Sequence, residues 1–142
     1  ALSLAQCGIL NNSSKPNREG VMAGSPTEVA IMEACIRVFG SNRTQYQDQN
    51  PKVFEIPFNS ETKWMLTVHA DQRRPGAFRV VVKGAPERVL AMCTRVLGEG
   101  TAVQLTGQRR AAINASLNKL MLGGRRVLCF AELRLDNYAQ DF

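Results

Sequence analysis

The sequence predicts an α+β domain, in which helices flank an antiparallel β-sheet. Three features favour this class: a strongly capped helix in the first third, alternating apolar residues in separate stretches, and short connections between those stretches. Strands that follow one another through short loops most simply pair as antiparallel hairpins. A parallel βαβ fold is disfavoured, because the chain contains neither GxxxxGK(S/T) nor a GxGxxG after a strand.

The N-terminal part is predicted to form two helices separated by a loop. Apolar residues at helical spacing favour a short helix over residues 1–10, and the polar stretch 11–20 is typical of a loop. The second helix, over residues 25–40, has the clearer signals, since Ser25 and Glu28 can form an S-x-x-E capping box. The Glu28 carboxylate is therefore expected at the start of a helix.

The middle of the chain is predicted to hold most of the sheet. After a polar connection over residues 41–52, alternating or β-branched residues favour strands at 53–57, 64–70 and 78–83. A turn over residues 58–62 separates the first two strands. The second and third strands are expected to form an antiparallel hairpin.

The last third is predicted to contain two helices and one strand. Helices are expected over residues 86–93 and 107–122, with a loop at 98–106 between them. An alternating strand over residues 126–135 follows the two glycines that end the second helix. The final residues, 136–142, are expected to be a frayed end.

Composition and charge limit the classes of function. The 142 residues are 44% apolar and 21% charged, with a formal charge of +6, which indicates one globular domain that favours anionic partners. Lysines and arginines are scattered in runs no longer than two, unlike the clustered pattern of a nucleic-acid binder. No apolar run approaches the ~20 residues that a membrane-spanning helix needs. The chain also begins at Ala1 without methionine or a signal peptide, so we expect a soluble domain cut from a longer protein.

The cysteines and the single histidine form no metal or disulfide motif. Neither a CxxC nor a Cys/His ligand spacing is present, and His69 lies in a strand pattern without partners. The cysteines lie in apolar stretches, which favours small buried thiols in a reducing compartment. They are Cys7, Cys35, Cys93 and Cys129.

The stretch Phe78 to Leu90, FRVVVKGAPERVL, combines a strand, a tight turn and a helix start. Gly84 permits a backbone conformation that other residues resist, and Pro86 suits the first position of a helix. Lys83 therefore stands at the end of a strand, beside a turn whose backbone can approach a ligand closely. An ammonium group there can meet a polyanion, although a surface lysine is the simpler interpretation from residue type alone.

Four motifs in a fixed order resemble the nucleotide-binding domain of P-type ATPases, the ion pumps that pass through an aspartyl phosphate. They are GSPTE at 24–28, FNS at 58–60 followed by Lys63, KGAPE at 83–87 and GRRVL at 124–128. Together they cover most of the chain. The segments EIPFNS and KGAPERVL are most similar to those of pumps of the sodium/potassium and calcium type.

The resemblance implies a set of residues that contact ATP. By their positions in the motifs, these are Glu28, Phe58, Lys63, Met65, Lys83, Gly84, Arg126 and Leu128. Phe58 would stack on the adenine ring, and its place after a proline at a turn makes the alternative of core packing less favourable. Glu28 would accept a hydrogen bond from the adenine amino group, or, in the structural alternative, only complete the helix cap.

The remaining implied contacts are with the phosphates or the ribose. Lys63 begins one strand and Lys83 ends its antiparallel partner, so both ammonium groups are expected at the same end of the hairpin. Arg126 would bind phosphate or ribose oxygens through its guanidinium. The chain departs from the family at Met65, where some pumps carry Gln, and at Arg125, where many carry Glu. The Met65 departure puts base selectivity in doubt.

The resemblance implies a parent enzyme that is an ATP-driven cation translocase. In that parent, this domain would bind ATP or ADP and present the γ-phosphate to an aspartate on a separate phosphorylation domain. Phosphorylation and actuator domains of the same chain are the implied partners, on the cytoplasmic side of a membrane such as the plasma membrane.

The isolated chain is expected to bind ATP without hydrolysing it. The sequence has no DKTGT-like, TGES-like or TGDG-like segment, so Mg²⁺ is implied for the parent and not for this domain. Neither nucleic-acid binding nor membrane insertion is expected. The alternative from charge alone is a stand-alone basic module that binds nucleic acid or other polyanions.

Overall fold

The computed structural model describes residues 2–98 and 100–137. Its helices are α1 Leu2–Leu10, α2 Pro26–Phe39, α3 Asn42–Asp48, α4 Pro86–Met92 and α5 Gly107–Leu122. Its strands are β1 Lys15–Pro16, β2 Met22–Ala23, β3 Lys52–Ile56, β4 Trp64–Ala70, β5 Phe78–Gly84, β6 Arg95–Gly98, β7 Thr101–Gln104 and β8 Cys129–Leu135.

Four strands form the main sheet in the order β3-β4-β5-β8, and every neighbouring pair is antiparallel. The β4–β5 hairpin pairs Trp64 with Gly84 and Ala70 with Phe78, which confirms the predicted hairpin. Strands β1 and β2 form a second, two-stranded sheet, and β6 and β7 form a third. Antiparallel sheets combined with helices confirm the predicted α+β class.

Helices α1 and α2 pack tightly on each other. Their shared core consists of Ala5 and Ile9 from α1 with Met32 and Cys35 from α2. Gly8 of α1 makes the close approach possible, because a Cβ at that position would lie 2.6 Å from the Cys35 Sγ. Helix α1 is thereby fixed relative to α2.

Helix α1 also contacts one face of the main sheet, where β5 carries two buried charges. Cys7 of α1 packs on Val81 of β5, and Arg79 and Lys83, which flank Val81 on the same face, are buried as well. The Arg79 guanidinium bonds both carboxylate oxygens of Glu132 on β8, at 3.1 and 2.9 Å. This pairing offsets the penalty for removing the guanidinium from water.

Three of the predicted loops contain regular structure. The stretch 41–52 holds α3, and the centroid of its Tyr46 ring lies 5.1 Å from that of Phe39 on α2. The stretch 98–106 holds β7, which pairs with β6, and the ribbon of β1 and β2 begins within 11–20. These elements are short and polar, so their sequences resemble those of loops.

The predicted strand 126–135 begins only at Cys129. The Arg125 N–H bonds the Leu120 carbonyl at 3.1 Å, which keeps the chain tied to the end of α5 before the strand starts. None of the 16 residues of α5 is fully buried. Of the predicted frayed end, residues 138–142 lie outside the described residues.

The four cysteines are free thiols, of which Cys7 and Cys35 are buried and Cys93 and Cys129 are half-buried. Burial is the main cause that raises the pKa of the Cys7 thiol to about 12. Among residues 2–98 and 100–137, no three His, Cys, Asp or Glu side chains group together as ligands for a metal ion. Within the same part of the chain, no helix has the length and apolar character to span a membrane.

His69 is buried on β4 with only one of its ring nitrogens hydrogen-bonded. Its Nδ1 lies 2.9 Å from the Asn50 carbonyl oxygen, so Nδ1 carries the proton, because a carbonyl can only accept. Nε2 is buried without a hydrogen bond to any described residue. Burial lowers the pKa of His69 from 6.5 to about 4, and the Asn50 carbonyl offsets only part of that effect.

We expect the free energy of unfolding to decrease as the pH is lowered from 6.5 to about 4. In that window the unfolded chain binds a proton at His69 and the folded chain does not, so acid favours unfolding. The decrease should be on the order of 2 kcal/mol. Urea denaturation at several pH values measures it, and His69→Phe should remove it. A His69→Phe variant that retains the whole decrease would show that another group is responsible.

Candidate functional site

At one end of the main sheet, two strands finish and the other two begin. Because neighbouring strands are antiparallel, β3 and β5 end where β4 and β8 begin. Gly84 at the end of β5 pairs with Trp64 on one side and with Cys129 on the other. On the outer strand, Ile56 pairs with Leu66. We call the place where these strand ends lie the Gly84 end of the sheet.

Most of the sequence-predicted site residues lie at the Gly84 end by their position on or beside a strand. They are Phe58 and Lys63 between β3 and β4, Met65 on β4, Lys83 and Gly84 on β5, and Arg126 and Leu128 before β8. The remaining residue, Glu28 of α2, reaches the same place through a side-chain contact with Lys83. Residues from four distant parts of the chain are thus brought together by strand pairing and one ion pair.

Lys83 is the buried centre of this group. Its side chain is 8% exposed, and its Nζ donates to Oε1 of Glu28 at 2.8 Å and to the backbone oxygen of Asn11 at 2.8 Å. The simpler interpretation, a lysine on the surface, is therefore wrong. A buried ammonium requires such partners, because a charge removed from water without them is strongly destabilising.

Glu28 turns its carboxylate toward β5. The Ser25 hydroxyl accepts a hydrogen bond from the Glu28 N–H at 3.3 Å, so the predicted N-cap is present. The Glu28 carboxylate accepts instead from Lys83 and from the Ser13 N–H, the latter at 3.3 Å. The side chain is thus engaged with Lys83 and Ser13 and not with the Ser25 N–H that a capping box requires. Contact with an adenine amino group stays a prediction.

Asn11 is a site residue that sequence reasoning missed. Residues 11–20 are predicted to be a loop, and no role is assigned to them, yet Asn11 is 0% exposed. Its carbonyl accepts from Lys83, while Asn12 and Ser13 donate to the backbone oxygen and the carboxylate of Glu28. An Asn-Asn pair directly after an apolar helix is a weak signal of a helix end, and residue type does not reveal main-chain contacts.

Lys63, which directly precedes β4, lies beside Gly84 at the end of β5. Lys63 has a φ of 62°, which is uncommon for a residue other than glycine, and β4 begins at the next residue. A Cβ at Gly84 would lie 2.4 Å from the Lys63 carbonyl oxygen. The space that a side chain of residue 84 would occupy is thus filled by Lys63 and Trp64. A contact between Gly84 and a ligand stays a prediction.

The other predicted residues differ in exposure. Phe58 is 62% exposed, which rules it out as an anchor of the core. Met65 is buried and pairs with Lys83 across the β4–β5 ladder. Arg126 is exposed and Leu128 is half-buried in the segment that leads into β8. Stacking by Phe58 and phosphate binding by Arg126 stay predictions.

An open cleft of about 510 Å³ lies next to this group but does not include it. Its lining consists of Glu61, Thr62, Trp64, Glu87, Arg88, Ala91 and Met92. Trp64 alternates with Met65 along β4, so the two side chains lie on opposite faces of the sheet. Two carboxylates against one guanidinium also make the cleft a poor site for a polyphosphate, and the cations of the Gly84 end are better suited to one.

Comparison with known proteins agrees with the motifs. Residues 2–142 match the family described as P-type ATPase, cytoplasmic domain N. The sodium/potassium-transporting ATPase subunit alpha-2 of Gallus gallus is 36% identical over 136 residues, which are 90% of this chain and 13% of that protein. The sodium/potassium-transporting ATPase subunit alpha of Tetronarce californica is 35% identical over 122 residues, 86% of this chain and 12% of that protein.

A human relative gives the same result. The sodium/potassium-transporting ATPase subunit alpha-2 of Homo sapiens is 37% identical over 113 residues, which are 80% of this chain and 11% of that protein. The chain therefore spans only a small part of the length of these relatives. Since the family match covers almost every residue, the chain belongs to the P-type ATPases and corresponds to their cytoplasmic domain N.

Proposed function

We propose that this chain is a single ATP-binding domain of a larger cation-transporting P-type ATPase, and that it binds ATP at the Gly84 end of the sheet. The observation that carries the proposal is the convergence there of a buried ammonium, further cations and an exposed aromatic ring. Family membership and the names of the relatives, which are sodium/potassium-transporting ATPase subunits, support the choice of ATP.

The residues at the Gly84 end divide the recognition of ATP between base and phosphates. The exposed Phe58 ring offers a stacking surface for adenine. The Glu28 carboxylate can accept a hydrogen bond from the adenine amino group, since its Oε2 makes no hydrogen bond to a described residue. Lys63 and Arg126 are both exposed and can reach phosphate or ribose oxygens.

Phosphoryl transfer is assigned to other parts of the parent protein. We propose that the bound nucleotide presents its γ-phosphate to an aspartate on a separate phosphorylation domain, with Mg²⁺ bound there. The phosphorylation and actuator domains of the same chain are the proposed partners, on the cytoplasmic side of the membrane. This chain alone is proposed to bind ATP without hydrolysing it.

Phe58→Ala should weaken ATP binding by about 1–3 kcal/mol, the usual contribution of stacking between a base and an aromatic ring. Because the Phe58 ring is 62% exposed, the melting temperature should change little. Calorimetric titration of the 142-residue chain with ATP measures the effect.

Phe54→Ala is the matched control, since Phe54 lies on β3, before the segment that carries Phe58, and is 38% exposed. It should leave the ATP dissociation constant unchanged. Equal affinities of wild type and Phe58→Ala for ATP would contradict the assignment of the base to Phe58. Absence of ATP binding by the wild type would contradict the proposed function itself.

Lys83→Gln should lose more ATP affinity than Lys63→Gln, by about 1 kcal/mol. Lys83 is 8% exposed, so salt screens its charge less than that of the exposed Lys63. Titrations at two salt concentrations test the difference. Equal losses that both vanish at high salt would show a diffuse basic field in place of a defined site.

A further inference from the structure

The end of helix α1 is buried against the site. Asn11 follows the last residue of α1 and is 0% exposed. Its N–H bonds the Cys7 carbonyl at 2.9 Å, so the backbone of Asn11 continues the hydrogen bonding of the helix. The position of its carbonyl group is therefore set from one side by α1.

The Asn11 side chain fixes the same residue from the other side. Its Nδ2 donates to the Val81 carbonyl of β5 at 2.8 Å and to the Met65 carbonyl of β4 at 3.2 Å. A primary amide has two protons on one nitrogen, so one group can bond both central strands at once. The Asn11 backbone is thus clamped between α1 and the β4–β5 pair.

This clamp places the carbonyl that holds Lys83. The Asn11 oxygen accepts from the Lys83 Nζ at 2.8 Å, and Glu28 Oε1 accepts from the same Nζ at 2.8 Å. An ammonium has three N–H donors, so one is left for another acceptor. The direction of that third donor is determined by the two acceptors already in place.

We propose that Asn11 is a positioning residue of the nucleotide site, acting through Lys83, an inference that rests on the proposed function. The side-chain amide of Asn11 holds the backbone carbonyl of the same residue at the distance that orients the Lys83 ammonium. One N–H of that ammonium is then left for the adenine nucleotide. Asn12 and Ser13 bond Glu28 at 2.9 and 3.3 Å. The segment after α1 thus sets both members of the Glu28–Lys83 pair.

Asn50 provides a matched control for a purely stabilising role. It is 1% exposed, and its Nδ2 donates to the Tyr46 carbonyl at 2.9 Å. Like Asn11, it has an Oδ1 that is buried without a hydrogen bond to any described residue. It bonds neither Glu28 nor Lys83, so replacing it removes a buried amide without touching the ion pair.

The test compares Asn11→Ala with Asn50→Ala in the 142-residue chain. Both should lower the melting temperature, because each removes a buried hydrogen-bonded amide. At a temperature where both are folded, Asn11→Ala should raise the ATP dissociation constant about ten- to a hundredfold, as expected for a misplaced bond to a charged group. Asn50→Ala should stay within about twofold of wild type. Equal dissociation constants for the two variants would overturn the inference.

A double variant shows whether the effect passes through Lys83. In a Lys83→Gln background, Asn11→Ala should cause no further loss of ATP affinity, because the group that it positions is already absent. Additive losses would overturn the inference. If Asn11→Ala does not fold, Asn11→Ser replaces it in the same comparison, since its hydroxyl can donate to one of the two carbonyls.

A measurement without nucleotide separates this inference from the proposed function. In the ligand-free wild type, the Lys83 ammonium protons should exchange slowly enough with water to give a resolved NMR signal. Asn50→Ala should keep that signal, and Asn11→Ala should broaden or lose it. Retention in Asn11→Ala would refute the positioning role, whether or not ATP binds. Failure of ATP binding with the NMR difference intact would refute only the proposed function.

Discussion

The arrangement of the site depends on one buried ammonium group. Lys83 precedes the last residue of the central strand β5, and its charge is almost out of water, a state that is stable only with close partners. Glu28 supplies a negative charge from the start of α2, and Asn11 supplies a carbonyl from the end of α1. Two helices and the sheet are therefore tied together at one point, and a shift of any of them changes the position of the charge.

Antiparallel pairing places exposed and buried residues together at the Gly84 end of the sheet. Phe58 and Lys63 lie in the exposed segment between β3 and β4, whereas Lys83 lies buried at the end of β5. An exposed cation keeps most of its hydration, and salt screens it, while a buried cation holds its interactions more firmly. A ligand at this end of the sheet would thus find an exposed aromatic ring after β3 and a buried positive charge on β5.

Sequence patterns predict the parts of this structure that have local causes. The β4–β5 hairpin follows from residue alternation, and the start of α2 follows from the capping chemistry of Ser25. Helix α3 was not predicted, because its sequence is polar and its contacts with α2, such as that of the Tyr46 ring, depend on tertiary structure. The motifs place Glu28 and Lys83 in one site, but their pairing depends on tertiary structure. Asn11 was missed because it binds Lys83 through a main-chain carbonyl, which every residue possesses.

Backbone amide chemical shifts during a titration with ATP test the central claim most directly. We expect the largest changes at the Gly84 end of the sheet, in residues 58–65, 83–85 and 126–128, because the proposed base and phosphate contacts all lie there. The hairpin loop 71–77, at the opposite end of β4 and β5, should change little. Changes concentrated in that loop, or in the cleft beside α4 with the Gly84 end unaffected, would contradict the account.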